Sequence, residues 1–207
     1  MRRRDVILAA GASALLPTSL PALADTTAGS VVGLVGGCTV TRGGSAVALK
    51  LGDPVAVSDA VDVPAGGKLK LRMSDGTILS LASGTHVTLA TYQSDAAGHR
   101  QNVQLALGQG LLRAVVAPVE HPAMFEVSTA VGTAAVRSTD WFIEAKPGTA
   151  QVGVLSGSVE LSSAATGRAV TIPARWGARV EAGRDPVEAR VWAPQEFQAV
   201  ISRTDVP

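Results

Sequence analysis

Chemistry needs side chains of particular types at particular spacings, and this sequence offers few. His86, His99 and His121 lie far apart, and none has a partner at the i, i+4 spacing that puts two metal ligands on one helix face. Cys38 is the single cysteine, which rules out an internal disulfide and a cysteine-based zinc site. Leu155-Ser156-Gly157-Ser158 lacks the leading glycine of a nucleophile elbow. Gly66-Gly67-Lys68 is followed by Leu69 rather than by a hydroxyl residue, and the upstream glycine of a phosphate loop is missing. Asp53, Asp59, Asp62 and Asp75 fall in turn-like stretches without a calcium-loop pattern, so they are read as carboxylates that accept backbone N–H bonds. Trp141, Trp176 and Trp192 are the remaining candidates, either as a sugar-stacking surface or as packing anchors. No catalytic residue, metal or cofactor is expected.

The elements that must position these residues are short strands. The chain has 207 residues, 46% hydrophobic and only 3% aromatic, so its core must come from Val, Leu, Ile and Ala. Period-2 alternation dominates. Val47, Leu49 and Leu51 alternate with smaller or charged residues, as do Leu69 and Leu71, Val103, Leu105 and Leu107, and Val152 and Val154. Gly43-Gly44, Gly52-Asp53, Asp75-Gly76, Pro147-Gly148, Gly167 and Gly183 punctuate these runs as turns. The pattern predicts an all-β fold. The exception is the end of the chain, where Pro194 suits a first helical position and Phe197, Val200 and Ile201 follow at helical spacing. That helix is expected to be a packing tail over an open end of the sheet.

Residues 1–24 read as an export signal. Arg2 to Arg4 make a positive start, Val6 to Leu16 a short apolar run, Pro17 and Pro21 a break, and Ala22-Leu23-Ala24 a small-x-small cleavage site before Asp25. Arg3-Arg4-Asp5-Val6-Ile7-Leu8 is similar to a twin-arginine pattern. The run is too short to cross a bilayer, so no stable membrane insertion is expected after cleavage, and the expected compartment is the periplasm of a Gram-negative bacterium. Without this leader the chain holds 15 basic and 16 acidic side chains, a balance that gives nucleic acid no electrostatic attraction.

A weak internal echo runs through the body. Gly37-Cys38-Thr39-Val40, Ala46-Val47-Ala48-Leu49, Gly52 and Val55 are matched by Gly157-Ser158-Val159-Glu160, Ala169-Val170-Thr171-Ile172, Gly177 and Val180. Stacked strand–turn units of this kind suggest a twisted, solenoid-like β-roll, and a β-sandwich is the alternative.

Three segments together resemble the FecR domain, the periplasmic module of FecR-type iron-dicitrate sensors. The first is Val63-Pro64-Ala65-Gly66-Gly67-Lys68-Leu69-Lys70-Leu71 followed by Asp75-Gly76-Thr77-Ile78-Leu79-Ser80-Leu81. The second runs from Phe125-Glu126-Val127-Ser128-Thr129 to Val136-Arg137-Ser138-Thr139-Asp140-Trp141, with Ser138 where the family carries glycine. The third is Thr149-Ala150-Gln151-Val152-Gly153-Val154-Leu155-Ser156-Gly157-Ser158-Val159-Glu160-Leu161. The resemblance covers residues 29–182, most strongly 61–161, and leaves 183–207 as a tail with a short helix. It implies the solenoid-like β-fold and makes Asp75, Gly76, Thr77, Val136, Arg137, Ser138, Thr139, Trp141 and Gly157 the motif residues, structural or interacting. The sequence shows neither the cytoplasmic anti-sigma region nor the transmembrane helix through which such sensors signal.

Arg137 is expected to play a structural part, its guanidinium bridging turns through backbone carbonyls or Asp140. The expected function is a non-catalytic binding module. Its partner would be an envelope protein, in cell-surface signalling or iron-uptake regulation. A second reading is a cell-wall or polysaccharide-binding module, which an exposed cluster of Trp141, Trp176 and Trp192 would favour.

Overall fold

The computed structural model describes residues 27–95, 99–118 and 123–206. The expected leader, with Ala22 and Ala24, and His121 lie outside the described residues. In chain order the strands are β1 (Thr27–Val35), β2 (Thr39–Arg42), β3 (Ser45–Ala48), β4 (Pro54–Ala56), β5 (Ala60–Val63), β6 (Lys68–Met73), β7 (Ile78–Leu81), β8 (Thr85–Ser94), β9 (Arg100–Val115), β10 (Met124–Ser128), β11 (Gly132–Val136), β12 (Asp140–Lys146), β13 (Thr149–Ser156), β14 (Ser158–Ser163), β15 (Ala169–Pro173), β16 (Trp176–Glu181) and β17 (Arg190–Val191). One helix, α1 (Pro194–Thr204), follows. The all-β expectation holds, with the short C-terminal helix in place.

The strands form two sheets that share β9. Sheet A runs β4-β1-β6-β7-β9-β12-β13-β16-β17. Sheet B runs β3-β2-β5-β8-β9-β10-β11-β14-β15. Every pairing is antiparallel except β9 with β10. The first part of β9 pairs in sheet B and the stretch from Gly110 onward pairs in sheet A. At the crossing Gly110 has φ +100°, and a Cβ there would lie 2.4 Å from the Thr85 Cα. Only glycine allows both that dihedral and that approach.

Between turns the chain passes repeatedly from one sheet to the other, which is the winding of a roll. The alternating apolar residues of both sheets point inward and share one core, built from Val, Leu, Ala and Ile with Phe125 and Trp141. The internal echo is a structural repeat. β1 pairs with β4 across the β2–β3 hairpin, and β13 pairs with β16 across the β14–β15 hairpin. The two hairpins form the opposite edges of sheet B.

The outer faces of the sheets differ. A second apolar cluster of Ala82, Leu111, Phe142, Trp192, Phe197 and Val200 lies outside sheet A. Alternation on β12 puts Trp141 and Ile143 in the main core and Phe142 outside it, where it meets Trp192 and Phe197 at centroid distances of 5.5 and 6.4 Å. The helix therefore covers a face of sheet A rather than an open end, because Phe142 and Leu111 need cover on that face. Pro194 starts it, and the Glu196 carboxylate accepts from the Ala193 N–H at 2.8 Å. Lys68 Nζ donates to the Ser202 and Asp205 carbonyls, and Arg203 pairs with Glu144, which fastens the tail. The predicted helical face buries Phe197 and Val200, with Ile201 half-buried and Thr204 buried in its stead. Among the described residues no helix is long and apolar enough to cross a membrane.

Candidate functional site

The Asp75-Gly76-Thr77 turn joins β6 to β7. Gly76 takes φ +84°, and the Asp75 carboxylate accepts from the Thr77 N–H at 2.9 Å and from the Thr77 hydroxyl at 2.8 Å. This is a common use of Asp in a tight turn. What is uncommon is where the carboxylate goes. It is almost fully buried, and it meets the equally buried Arg100 at the start of β9. The Tyr92 hydroxyl on β8 donates to its other oxygen. Burial alone would raise the Asp75 carboxyl. The hydrogen bonds from Tyr92, from the amide and hydroxyl of Thr77 and from Arg100 outweigh it and hold Asp75 below the ordinary carboxylate range. Tyr92 is pushed well above the ordinary phenol range, first by burial and then by the Asp75 charge it faces.

Arg100 spreads this turn's reach. Its Nη1 also bonds the Thr77 hydroxyl at 3.3 Å, while its Nη2 donates to the Ala117 carbonyl at 3.2 Å and the Arg137 carbonyl at 3.0 Å. The guanidinium lies 5.7 Å from the centre of the Phe125 ring. One buried cation thus ties the Asp-Gly-Thr segment to the Val-Arg-Ser-Thr segment. The third segment joins them at Gly157, where a Cβ would lie 2.8 Å from the Ser138 carbonyl, and the Thr139 hydroxyl donates to the Ser158 carbonyl at 3.2 Å. The structure therefore brings Asp75, Gly76, Thr77, Arg137, Ser138, Thr139 and Gly157 into one neighbourhood. Val136 and Trp141 are buried beneath it in the core.

The Arg137 side chain departs from expectation. It is exposed, and among the described residues its guanidinium bridges no turns. Its carbonyl is held by Arg100, and Asp140 is taken by Arg113 through two bonds of 3.0 and 2.8 Å. β11 has turned Val136 inward, so pleat alternation sends the next side chain outward. Arg100 and Tyr92 escaped the sequence reading because the buried parity slips at the start of β9. Arg100 is buried, then Val103, Leu105 and Leu107, with a register shift on β8 opposite.

Arg137 and Ser138 stand over an open groove of about 830 Å³ on the outer face of sheet B, with Met124, Glu126, Ser158 and Glu160 among its lining. In register across the strands, Glu126 faces Ala135 and Ala135 faces Glu160, while Met124 and Ser158 belong to the row of Arg137. The same face carries a row from every strand of sheet B: Ala46, Thr41, Ala60, Thr88, Ala106, Ser128, Thr133, Ser162 and Ala169. The small side chains leave a low floor, and nothing among the described residues covers it as α1 covers sheet A.

The other candidates are dispersed. His86 pairs with Asp62 at 2.7 Å across β8 and β5, on a strand rather than in a turn, and His99 pairs with Asp95. Cys38 is buried, which pushes its thiol up. Trp141 lies in the inner core, Trp192 outside sheet A and Trp176 half-buried at the core's edge, so the three do not form a stacking surface. Among the described residues no three His, Cys, Asp or Glu side chains are grouped to hold a metal ion.

The family model described as FecR protein matches residues 59–160, which run from Asp59 into β14. Residues 59–160 are a FecR domain. The match takes in the three segments joined around Arg100 as far as Glu160, while β1–β4, β15–β17 and the helical tail lie outside it. Two crystal structures of a candidate anti-sigma factor from Parabacteroides distasonis ATCC 8503 share the fold, each with a TM-score of 0.56 and 18% identity over 68% of this chain. This chain spans 63% and 62% of the length of those two. No curated protein matches the chain by sequence.

Proposed function

We propose that this FecR-domain protein is a non-catalytic periplasmic module that binds a protein of the cell envelope through the open groove of sheet B, in cell-surface signalling. The observation that carries the reading is the division of labour at the joined motifs. The buried Asp75–Arg100 pair fixes the backbone at Arg137, and the exposed Arg137 side chain, with no hydrogen-bond partner among the described residues, stands over the groove. Arginine beside exposed Met124 is a combination enriched at protein-binding surfaces. The likeness in fold to the Parabacteroides distasonis protein supports a regulatory setting, and the family points to iron uptake as the pathway. Separation of the three tryptophans speaks against sugar stacking.

A photo-crosslinking residue at Ser138 or Met124 in living cells tests this reading. Both positions should give an adduct with the same envelope protein, and Arg137→Glu should abolish it while leaving the melting temperature unchanged. The same residue at Ser202, on the helix across the molecule, should give none. Adducts of equal yield from Ser202, or none from the groove, would refute the reading.

A further inference from the structure

Each sheet ends in edge strands, and an edge offers unpaired peptide groups to any other extended chain. Three of the four edges are guarded. β4 is three residues long and starts with Pro54, β15 ends in Pro173, and β17 is two residues beginning with Arg190. β3 has no proline, charge or bulge, and all four of its residues are exposed. Among the described residues it pairs with β2 alone, Thr39 facing Ala48 and Val40 facing Val47. The Leu49 amide donates to the Cys38 carbonyl at 2.9 Å. Antiparallel alternation then turns the peptide groups of Ser45 and Val47 toward β2 and those of Ala46 and Ala48 outward.

A second, antiparallel copy of this edge meets those groups in register. With Val47 placed against the partner's Val47 on a two-fold axis, Ala46 faces the partner's Ala48 and Ala48 faces the partner's Ala46. Both are hydrogen-bonded pairs, so four N–H···O=C bonds form, and the two valines occupy the non-hydrogen-bonded site where side chains approach closest. The side chains suit this. Val47 is 56% and Leu51 67% exposed, beside a cleft of about 170 Å³ lined by Val40, Val47, Leu49 and Pro54 together with the charged Arg42 and Asp53. Like charges do not oppose one another: β3 carries none, Lys50 falls opposite the partner's Gly44, and Arg42 lies on β2 facing Ser45, one strand in from the edge. We propose that β3 is a dimer edge, through which two copies of this chain join β3 to β3 about a two-fold axis and extend sheet B across both. A second copy is favoured over an unrelated strand because the outward peptide groups and the small side chains are each complementary to themselves, and no charge on the strand repels its copy. So short a ladder makes a weak, reversible dimer, with Kd in the range of roughly 1–100 µM.

Sedimentation velocity of the full chain from about 1 to 500 µM, a range set by that Kd, should show a monomer–dimer equilibrium. Ala48→Pro removes an outward N–H without touching the β2 ladder, so it should give a monomer with the melting temperature of the wild type. Val47→Cys should oxidise to a disulfide-linked dimer, because the expected Cα separation of about 4.5 Å suits a disulfide. Ala48→Cys, which faces the partner's Ala46, should stay uncrosslinked, and buried Cys38 does not interfere. A monomer throughout the range would overturn the proposal. So would a dimer that survives Ala48→Pro with native stability, or a Val47→Cys chain that crosslinks no better than Ala48→Cys.

Discussion

Arg100 and Asp75 are charged and almost out of contact with water, an arrangement that holds only while each has the other. Removing one partner leaves a buried charge without its counterion, which costs about 3–5 kcal/mol. Arg100→Met and Asp75→Asn should each lower the melting temperature, by roughly 2–4 °C per kcal/mol for a chain of this size. The double variant should fall less than the sum of the two, since it leaves neither charge stranded. Additive losses in thermal melts would show that the two side chains act apart. Titration reads the same cluster. Asp75 is held below its ordinary range in the folded protein, so its contribution is present above about pH 4, the unfolded value, and is lost as the pH falls below it. Tyr92 is shifted upward, so its contribution is complete below about pH 10 and is lost as the pH rises beyond that, where the unfolded phenol ionises and the native one does not. Stability of the Tyr92→Phe variant should lose the alkaline part of this dependence, as denaturant melts at pH 9 and pH 11 would reveal.

At the scale of elements, β9 decides the architecture, because it is the strand through which the two sheets are continuous. Its change of sheet rests on Gly110. Gly110→Ala must carry a side chain at φ +100° and push the Cβ into the Thr85 backbone. The strain and overpacking together should cost about 2–4 kcal/mol, measurable as a shift in denaturant midpoint. Glycines of open turns, such as Gly43 and Gly183, have open space where an alanine methyl group would sit and should tolerate alanine better. A shift no larger at Gly110 than at Gly183 would mean that β9 crosses between sheets by some less constrained route.

For the whole molecule, the asymmetry of its outer faces sets what is stable and what is available. Sheet A is closed by α1 and by Trp192, whose ring lies so near Gly177 that a Cβ there would sit 2.2 Å from it. Sheet B is left open with a polar, small-residue floor. A chain ending at Ala182 should expose Phe142 and Leu111, bind a hydrophobic dye and lose stability, since large apolar side chains left uncovered on one face favour association. An unchanged melting temperature without dye binding would show that the tail is dispensable to the fold. Arg137→Ala should change the groove but not the fold beneath it, so in thermal melts its effect on stability is expected to stay within about 0.5 kcal/mol, as for other exposed side chains.

Alternation of apolar residues and the placement of glycine turns were enough to establish short strands with one buried face, because inward and outward positions repeat locally every two residues. Even the echo between residues 37–55 and 157–180 was visible in one dimension, since the same strand–hairpin–strand unit needs the same turns. The motif residues Asp75, Thr77 and Gly157 could be picked out one at a time. Their meeting around Arg100 could not, because it depends on a carboxylate and a backbone carbonyl 25 and 37 positions away in the chain, and on a parity slip that hides a buried arginine among polar neighbours. The sequence likewise placed a helix at Pro194 but not the face it would cover. That depended on which side of sheet A Phe142 would reach, and only the packing of β12 between β9 and β13 decides it. Arg137 shows the same limit. Its type admitted either a tie or a contact residue, and the outward pleat of β11, together with the capture of Asp140 by Arg113, left its guanidinium facing the groove.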